Sequence, residues 1–214
     1  MATVHNYIAA GAAALHIEDQ VFPKRCGHLE GKELIPAADF ATTVERCVNA
    51  VKVSDDTDFI ICARTDARGV EGGKPDDTIE RLRLYADAGA SMLFPEGLRS
   101  IEEFEYVSNA LRESHGHDIF LLANMTEFGV SPQISALQFG DLGYDVTIYP
   151  MGLFRMAMRA VDEGLNHLKE NKSLEAYANG TDMLTREELY DYLQYDPMDM
   201  PWEYPSSEVP KKNA

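Results

Sequence analysis

Lys24-Arg25-Cys26-Gly27-His28 sets a cysteine among three basic side chains, a few residues after His16-Ile17-Glu18-Asp19. Cationic neighbours lower a thiol's pKa and make its proton exchangeable near neutral pH. A carboxylate cluster is the usual company of a hard divalent cation. Together they suggest metal-assisted enzyme chemistry; the competing reading is a surface loop with an incidental cysteine. Further polar residues follow apolar runs: Arg64 and Asp66, Glu96, then Asn124 and Thr126. The planar fork of Arg64 matches a carboxylate. Glu96 could orient Arg64, act as a base, or form a purely structural salt bridge. Asn124 and Thr126 could hold a substrate carboxylate or cap the next turn. Glu18 suits the shell of a metal. His16, two residues earlier, shares its side of a strand and either joins that shell or packs inside. Asp19 should point the other way.

These side chains need a scaffold that gathers them. Apolar runs at 14–17, 59–63, 92–94, 120–123 and 146–149 read as buried strands, each followed by polar residues and then a helical pattern. Helices are expected at 2–11, 37–52, 76–88, 101–114, 132–140, 152–170 and 185–194, with Pro36, Pro75, Ser100 and Ser131 near their starts. Alternating strands and helices predict a parallel sheet covered by helices. No glycine-rich phosphate fingerprint follows a strand, which disfavours a dinucleotide fold. Polar residues at the C-terminal ends of strands are the habit of a (β/α)₈ TIM barrel. Such a barrel typically takes about 250 residues and eight strands. Five strands are expected here, so the sequence reads as a barrel lacking its first three. Residues 1–170 form this partial barrel, and the proline- and tyrosine-rich residues 171–214 form a C-terminal arm.

Nineteen Lys and Arg against 36 Asp and Glu give a net charge of −17. That balance argues against nucleic acid, whose phosphates need cations, and against anionic membrane. No run of about 18 apolar residues predicts a membrane span, and no secretory signal is expected at the N-terminus. Cys26, Cys47 and Cys62 lack metal-ligand spacing and suit a reducing cytoplasm. Cys47 and Cys62 lie in apolar patterns and are expected to be buried.

Beyond these local arguments, the chain resembles the isocitrate lyase and phosphoenolpyruvate mutase superfamily, in its 2-methylisocitrate lyase branch. The resemblance rests on residues 10–20 (AGAAALHIEDQ), the KRCGH segment 24–28, Ala63-Arg64-Thr65-Asp66-Ala67, Phe94-Pro95-Glu96 and Asn124-Met125-Thr126-Glu127-Phe128-Gly129 with Pro132 behind it. It implies a Mg²⁺- or Mn²⁺-dependent carbon–carbon lyase that cleaves 2-methylisocitrate or a similar hydroxy acid to pyruvate-type and succinate-type products. Oxaloacetate hydrolase and dimethylmalate-type lyase are the alternatives; an inactive fragment or non-catalytic subunit partner is the alternative outside catalysis. Cys26, Arg64 and Glu96 are then catalytic. Lys24, Arg25, Gly27, His28, Asn124 and Thr126 bind substrate. Glu18 and His16 face the metal, whose main aspartate ligands in the family have no counterpart here. The resemblance also implies a homo-oligomer, often a tetramer, that exchanges C-terminal helices.

Overall fold

The structure is a computed structural model that describes residues 2–54, 56–180 and 183–195. Met1, Asp55 and, in the expected arm, residues 181–182 and 196–214, including Trp202 and Pro197 to Pro210, lie outside the described residues. Two compact units divide the chain after Leu153.

The first unit holds α1 (Ala2–Ala9), β1 (Ala14–Glu18), α2 (Ala37–Lys52), β2 (Ile60–Thr65), α3 (Pro75–Asp87), β3 (Met92–Pro95), α4 (Ile101–His115), β4 (Phe120–Asn124), α5 (Ala136–Asp141) and β5 (Val146–Ile148). The strands form one parallel sheet in the order β1-β2-β3-β4-β5. Each strand lies beside its sequence neighbour, as successive βα units of a barrel do.

Strand alternation sorts the side chains onto two faces. Ala63, Leu93, Leu121 and Ala123 pack with Val44, Leu82, Tyr85, Phe104, Val107 and Phe139 of the helices. Cys62, Met92, Phe94 and Leu122 gather on the opposite face with Ile60, Val146 and Ile148. On that second face the register sets Glu18 opposite Arg64 and Arg64 opposite Phe94. The strands thus place one apolar layer and, at their C-terminal ends, one charged layer on a single face.

Helix ends follow local chemistry. Ser100 caps α4 by accepting from the Glu103 N–H. Gly89 (φ 97°) and Gly143 (φ 86°) turn the chain out of α3 and α5 in a left-handed conformation that favours glycine. The expected start of α5 at residue 132 is corrected to 136. Ser135 and Gln138 form the capping box there, while the Ser131 hydroxyl is spent on the Leu98 carbonyl. A 3₁₀ turn at Ala67–Gly69 and a short helix, α7 (Glu175–Ala178), were not expected.

The second unit contains most of α6 (Gly152–Asn171), then α7 and α8 (Arg186–Leu193). Within it the His167 and Tyr177 rings meet edge to face at 5.0 Å, and Tyr190 meets Tyr195 at 4.9 Å. Thr185 and Glu188 cap α8 reciprocally. No residue of α6 is buried.

Candidate active site

Arg64, on the last turn of pleat in β2, is the hub of the charged layer. Its Nε lies 2.9 Å from Asp66 Oδ2 and 3.2 Å from Glu18 Oε2, its Nη1 lies 3.1 Å from Glu96 Oε2, and its Nη2 donates to Asp66 Oδ1 at 3.1 Å. The guanidinium carbon sits 4.9 Å from the Phe94 ring centroid. Burial alone opposes charge on Arg64, but the Asp66 hydrogen bond and the charges of Glu96, Asp66 and Glu18 outweigh it and hold its pKa above the ordinary value.

Glu96 links this hub to the next strand. Its Oε1 accepts from the Gly97 N–H at 2.9 Å and its Oε2 from Asn124 Nδ2 at 3.1 Å. Asn124 Oδ1 in turn accepts from the Thr126 hydroxyl at 2.9 Å. Glu96, Asn124 and Thr126 are all buried. These contacts occupy the Glu96 carboxylate, the Asn124 oxygen and one of the two Asn124 N–H donors, so both side chains are oriented while one amide donor is left for a ligand.

The loop after β1 folds over this network. Its stem is an antiparallel bridge between Gln20 and Leu34. The buried Gln20 side chain clamps Arg25 at both ends: Nε2 donates to the Arg25 carbonyl (2.9 Å) and Oε1 accepts its N–H (2.8 Å). Gly27 presses directly onto the Arg64–Glu96 pair. A Cβ at that position would lie 2.5 Å from Glu96 Cγ and 2.7 Å from Arg64 Nη2. His28 Nδ1 accepts the Val130 N–H at 3.1 Å, and its Nε2 stands 3.5 Å from Glu96 Oε1 without hydrogen-bond geometry. Lys24 pairs with Glu18 at 3.3 Å.

Cys26 itself is exposed. The three basic residues expected to surround its thiol are each held elsewhere: Lys24 on Glu18, Arg25 on the Glu30 carbonyl, His28 between Val130 and Glu96. The buried cation of this loop is Lys32, which was not among the expected site residues. Asp66 was also missed as a partner of Arg64. Its i, i+2 spacing along a strand was the available signal.

His16 stays on the inner face, its ring 5.9 Å edge-on from Phe94. Partial burial, then the Arg64 charge, pushes its pKa down; Glu18 pulls the other way. Asp19 turns to the helical side as expected and is wholly buried. It accepts from Thr65 Oγ1 (2.7 Å), Tyr85 OH (2.8 Å), Arg81 Nη1 (3.0 Å) and the Asp66 N–H (3.1 Å). Asp19 therefore anchors the residue that anchors Arg64. Among the described residues no three His, Cys, Asp or Glu side chains come together as a metal-binding group. With Glu18 tied to Arg64 and Lys24, these residues do not by themselves fit a divalent cation.

Charged groups converging at the C-terminal ends of parallel strands, under a loop that bears a thiol, define the site of a (β/α)-barrel enzyme. The chain belongs to the phosphoenolpyruvate phosphomutase family, which matches residues 1–169. It is 44% identical over 194 residues to a probable 2-methylisocitrate lyase 1 of Corynebacterium glutamicum, covering 91% of this chain and 60% of that protein. It is 42% identical to the 2-methylisocitrate lyase of Aeropyrum pernix, covering 90% and 58%. Among solved structures it resembles oxaloacetate acetylhydrolase bound to 3,3-difluorooxalacetate, with a TM-score of 0.79 and 32% identity over 90% of this chain and 62% of that one. 2,3-Dimethylmalate lyase gives a TM-score of 0.77 and 34% identity over 89% and 59%. The chain thus spans about 60% of the length of the curated relatives it matches.

Proposed function

We propose that this chain carries the catalytic face of a carbon–carbon lyase that cleaves 2-methylisocitrate or a close analogue to pyruvate-type and succinate-type products. The observation that supports this is the seating of the Cys26 loop on the Arg64–Glu96–Asn124–Thr126 network, in a chain whose relatives carry that name. In the cleavage, the substrate hydroxyl gives its proton to a solvent water acting as base and becomes the carbonyl of the 2-oxo acid. The carbon–carbon bond breaks, and its electron pair goes to the departing carbon. That carbon takes a proton from Cys26 Sγ, and solvent later returns a proton to the Cys26 thiolate. Asp66 and Glu96, filled by their donors, orient Arg64 rather than collect a proton. Arg64 and Lys24 stabilise negative charge, and Asn124, Thr126, His28 and Arg25 hold substrate carboxylates together with the backbone N–H of Gly27.

A divalent ion serving this reaction needs carboxylates beyond the described residues. Glu18 is the most accessible of the three around Arg64. The α6 apolar residues Leu153, Phe154, Met156, Met158, Val161 and Leu165 are exposed and support a homo-oligomer through this helix and the 171–214 arm. Three free thiols suit a cytoplasmic setting. No helix among the described residues is long and apolar enough to cross a membrane.

The test is to incubate the purified 214-residue protein with Mg²⁺ and, separately, 2-methylisocitrate, 2,3-dimethylmalate and oxaloacetate, measuring 2-oxo acid, succinate-type product and oxalate. In parallel, pyruvate plus succinate should protect Cys26 from alkylation. Turnover is expected to be low, because the described residues do not form a complete cation site. Protection without turnover would support a lyase site that needs more chain; oxalate formation would move the assignment to the hydrolase. Neither product nor protection at millimolar ligand would leave the non-catalytic subunit as the better account.

A further inference from the structure

We propose that Lys32 is the positioning residue of the Cys26 turn, locking it onto the Arg64–Glu96 pair; this rests on the reading of Cys26 as the proton donor. Lys32 is a loop residue with only 7% of its surface exposed. A buried ammonium is costly unless its donors are filled. Two of the three are: Nζ donates to the Gly27 carbonyl at 2.6 Å and to the Leu29 carbonyl at 2.5 Å. Those carbonyls bracket His28. The Cys26 carbonyl accepts the Leu29 N–H at 2.9 Å, closing the same turn. One ammonium therefore ties both sides of the turn that presents the thiol.

The surroundings are shaped to admit it. A Cβ at Gly69 would lie 2.7 Å from both Cε and Nζ of Lys32, and 3.2 Å from the Gly27 carbonyl oxygen. Gly69 ends the 3₁₀ turn after β2, so Lys32 fills the seam between the loops that follow β1 and β2. Burial pushes the Lys32 pKa down, and Arg64 adds to this, while Asp66, Glu96 and Cys26 favour its charge. Lys32 is held to the site by the Asp66 and Glu96 carboxylates at longer range and by two carbonyls at contact. Without it the turn keeps the Leu29–Cys26 bond, the Gln20 clamp on Arg25, the Arg25–Glu30 bond and the Val130–His28 bond, but the Gly27 and Leu29 carbonyls lose their shared donor.

Hydrogen–deuterium exchange on the full chain tests this in K32M, K32R and G69A. In K32M the amides of residues 21–35 should exchange at least tenfold faster, with α2 and β2 unchanged within twofold. G69A, whose methyl group displaces the ammonium without removing it, should give the same localised pattern. K32R, which keeps charge and two donors, should recover at least half of the lost protection on a logarithmic scale. Unchanged exchange over 21–35 in K32M, a uniform rise across the protein, an inert G69A, or a K32R as open as K32M would each overturn the assignment. Exchange requires no turnover. Failure of the lyase reading would show instead as missing product with the loop pattern as expected.

Discussion

Replacing Arg64 by methionine removes the one cation among the described residues that touches all three carboxylates of the hub. Glu18 Oε2 and Asp66 Oδ2 share its Nε at 3.2 and 2.9 Å, so those oxygens lie at most about 6 Å apart. At an effective dielectric of about 20, two like charges at that distance repel by roughly 3 kcal/mol. Glu96, equally buried, loses its bond to Nη1 and adds to the repulsion. The Arg64 side chain is only 13% exposed, so water repairs little of this. Breaking one side of a buried ion-pair set costs about 3–5 kcal/mol, and the local sum falls in that range. For a unit of this size each kcal/mol moves the melting temperature by about 2–4 °C. R64M should therefore melt about 6–20 °C below the parent in a calorimetric or circular-dichroism scan. R64K, which keeps the charge but loses the two-point grip on Asp66, should fall between them. A melting point for R64M within 2 °C of the parent would refute the reasoning, showing that hydration of the freed carboxylates cancels the lost pairs.

Alkylation followed by peptide mapping should find Cys26 modified at least a hundredfold faster than Cys62 at pH 8. Cys62 is buried in the inner apolar layer, where desolvation pushes its thiol up to about 12 and starves it of thiolate; Cys47 is raised by burial too. Equal labelling of all three in the folded protein would contradict the packing. G27A should prise the loop from Glu96 and Arg64, costing about 1–3 kcal/mol as overpacking or, if the loop lifts instead, accelerating exchange over residues 21–35; an unchanged melting point with unchanged exchange would show that the close approach is absent. The fold lowers the His16 pKa, so His16 contributes stability that is fully present above about pH 6.5 and is lost as the pH falls below that toward its folded value. H16N should remove that slope in urea titrations at pH 5 to 7; identical slopes would mean that His16 gains its proton as readily folded as unfolded.

Strands β1 to β5 were legible because each is an apolar run bounded by turn residues, and in β2, β3 and β4 burial leaves a sequence little freedom. The hub residues Glu18, Arg64, Glu96, Asn124 and Thr126 were legible for a related reason. Each stands one to three places past an apolar run, where a parallel strand must deliver it to a common end. Lys32 was not, because a loop lysine that is buried and one in water look alike in sequence; what buries it is the glycine at position 69, nearly forty residues away. Asp19 was assigned its direction by alternation, but its partners Tyr85 and Arg81 sit on α3, and no local pattern names them. The start of α5 was misplaced because Ser131-Pro132 and Ser135 with Gln138 offer rival signals, and only the capping box has a backbone to cap.

The strand order also bears on how the chain reaches its fold. Every strand pairs with the one made just before it, and no pairing skips a neighbour. A chain emerging from a ribosome can thus add each βα unit to a finished edge without waiting for a distant segment. Loop-closure costs stay modest at each step. The growing edge is the exposed one, so a pause in synthesis leaves an unpaired parallel strand as the reactive surface. Slowing translation within residues 60–95 should therefore favour association of nascent chains more than slowing it after β5 has docked.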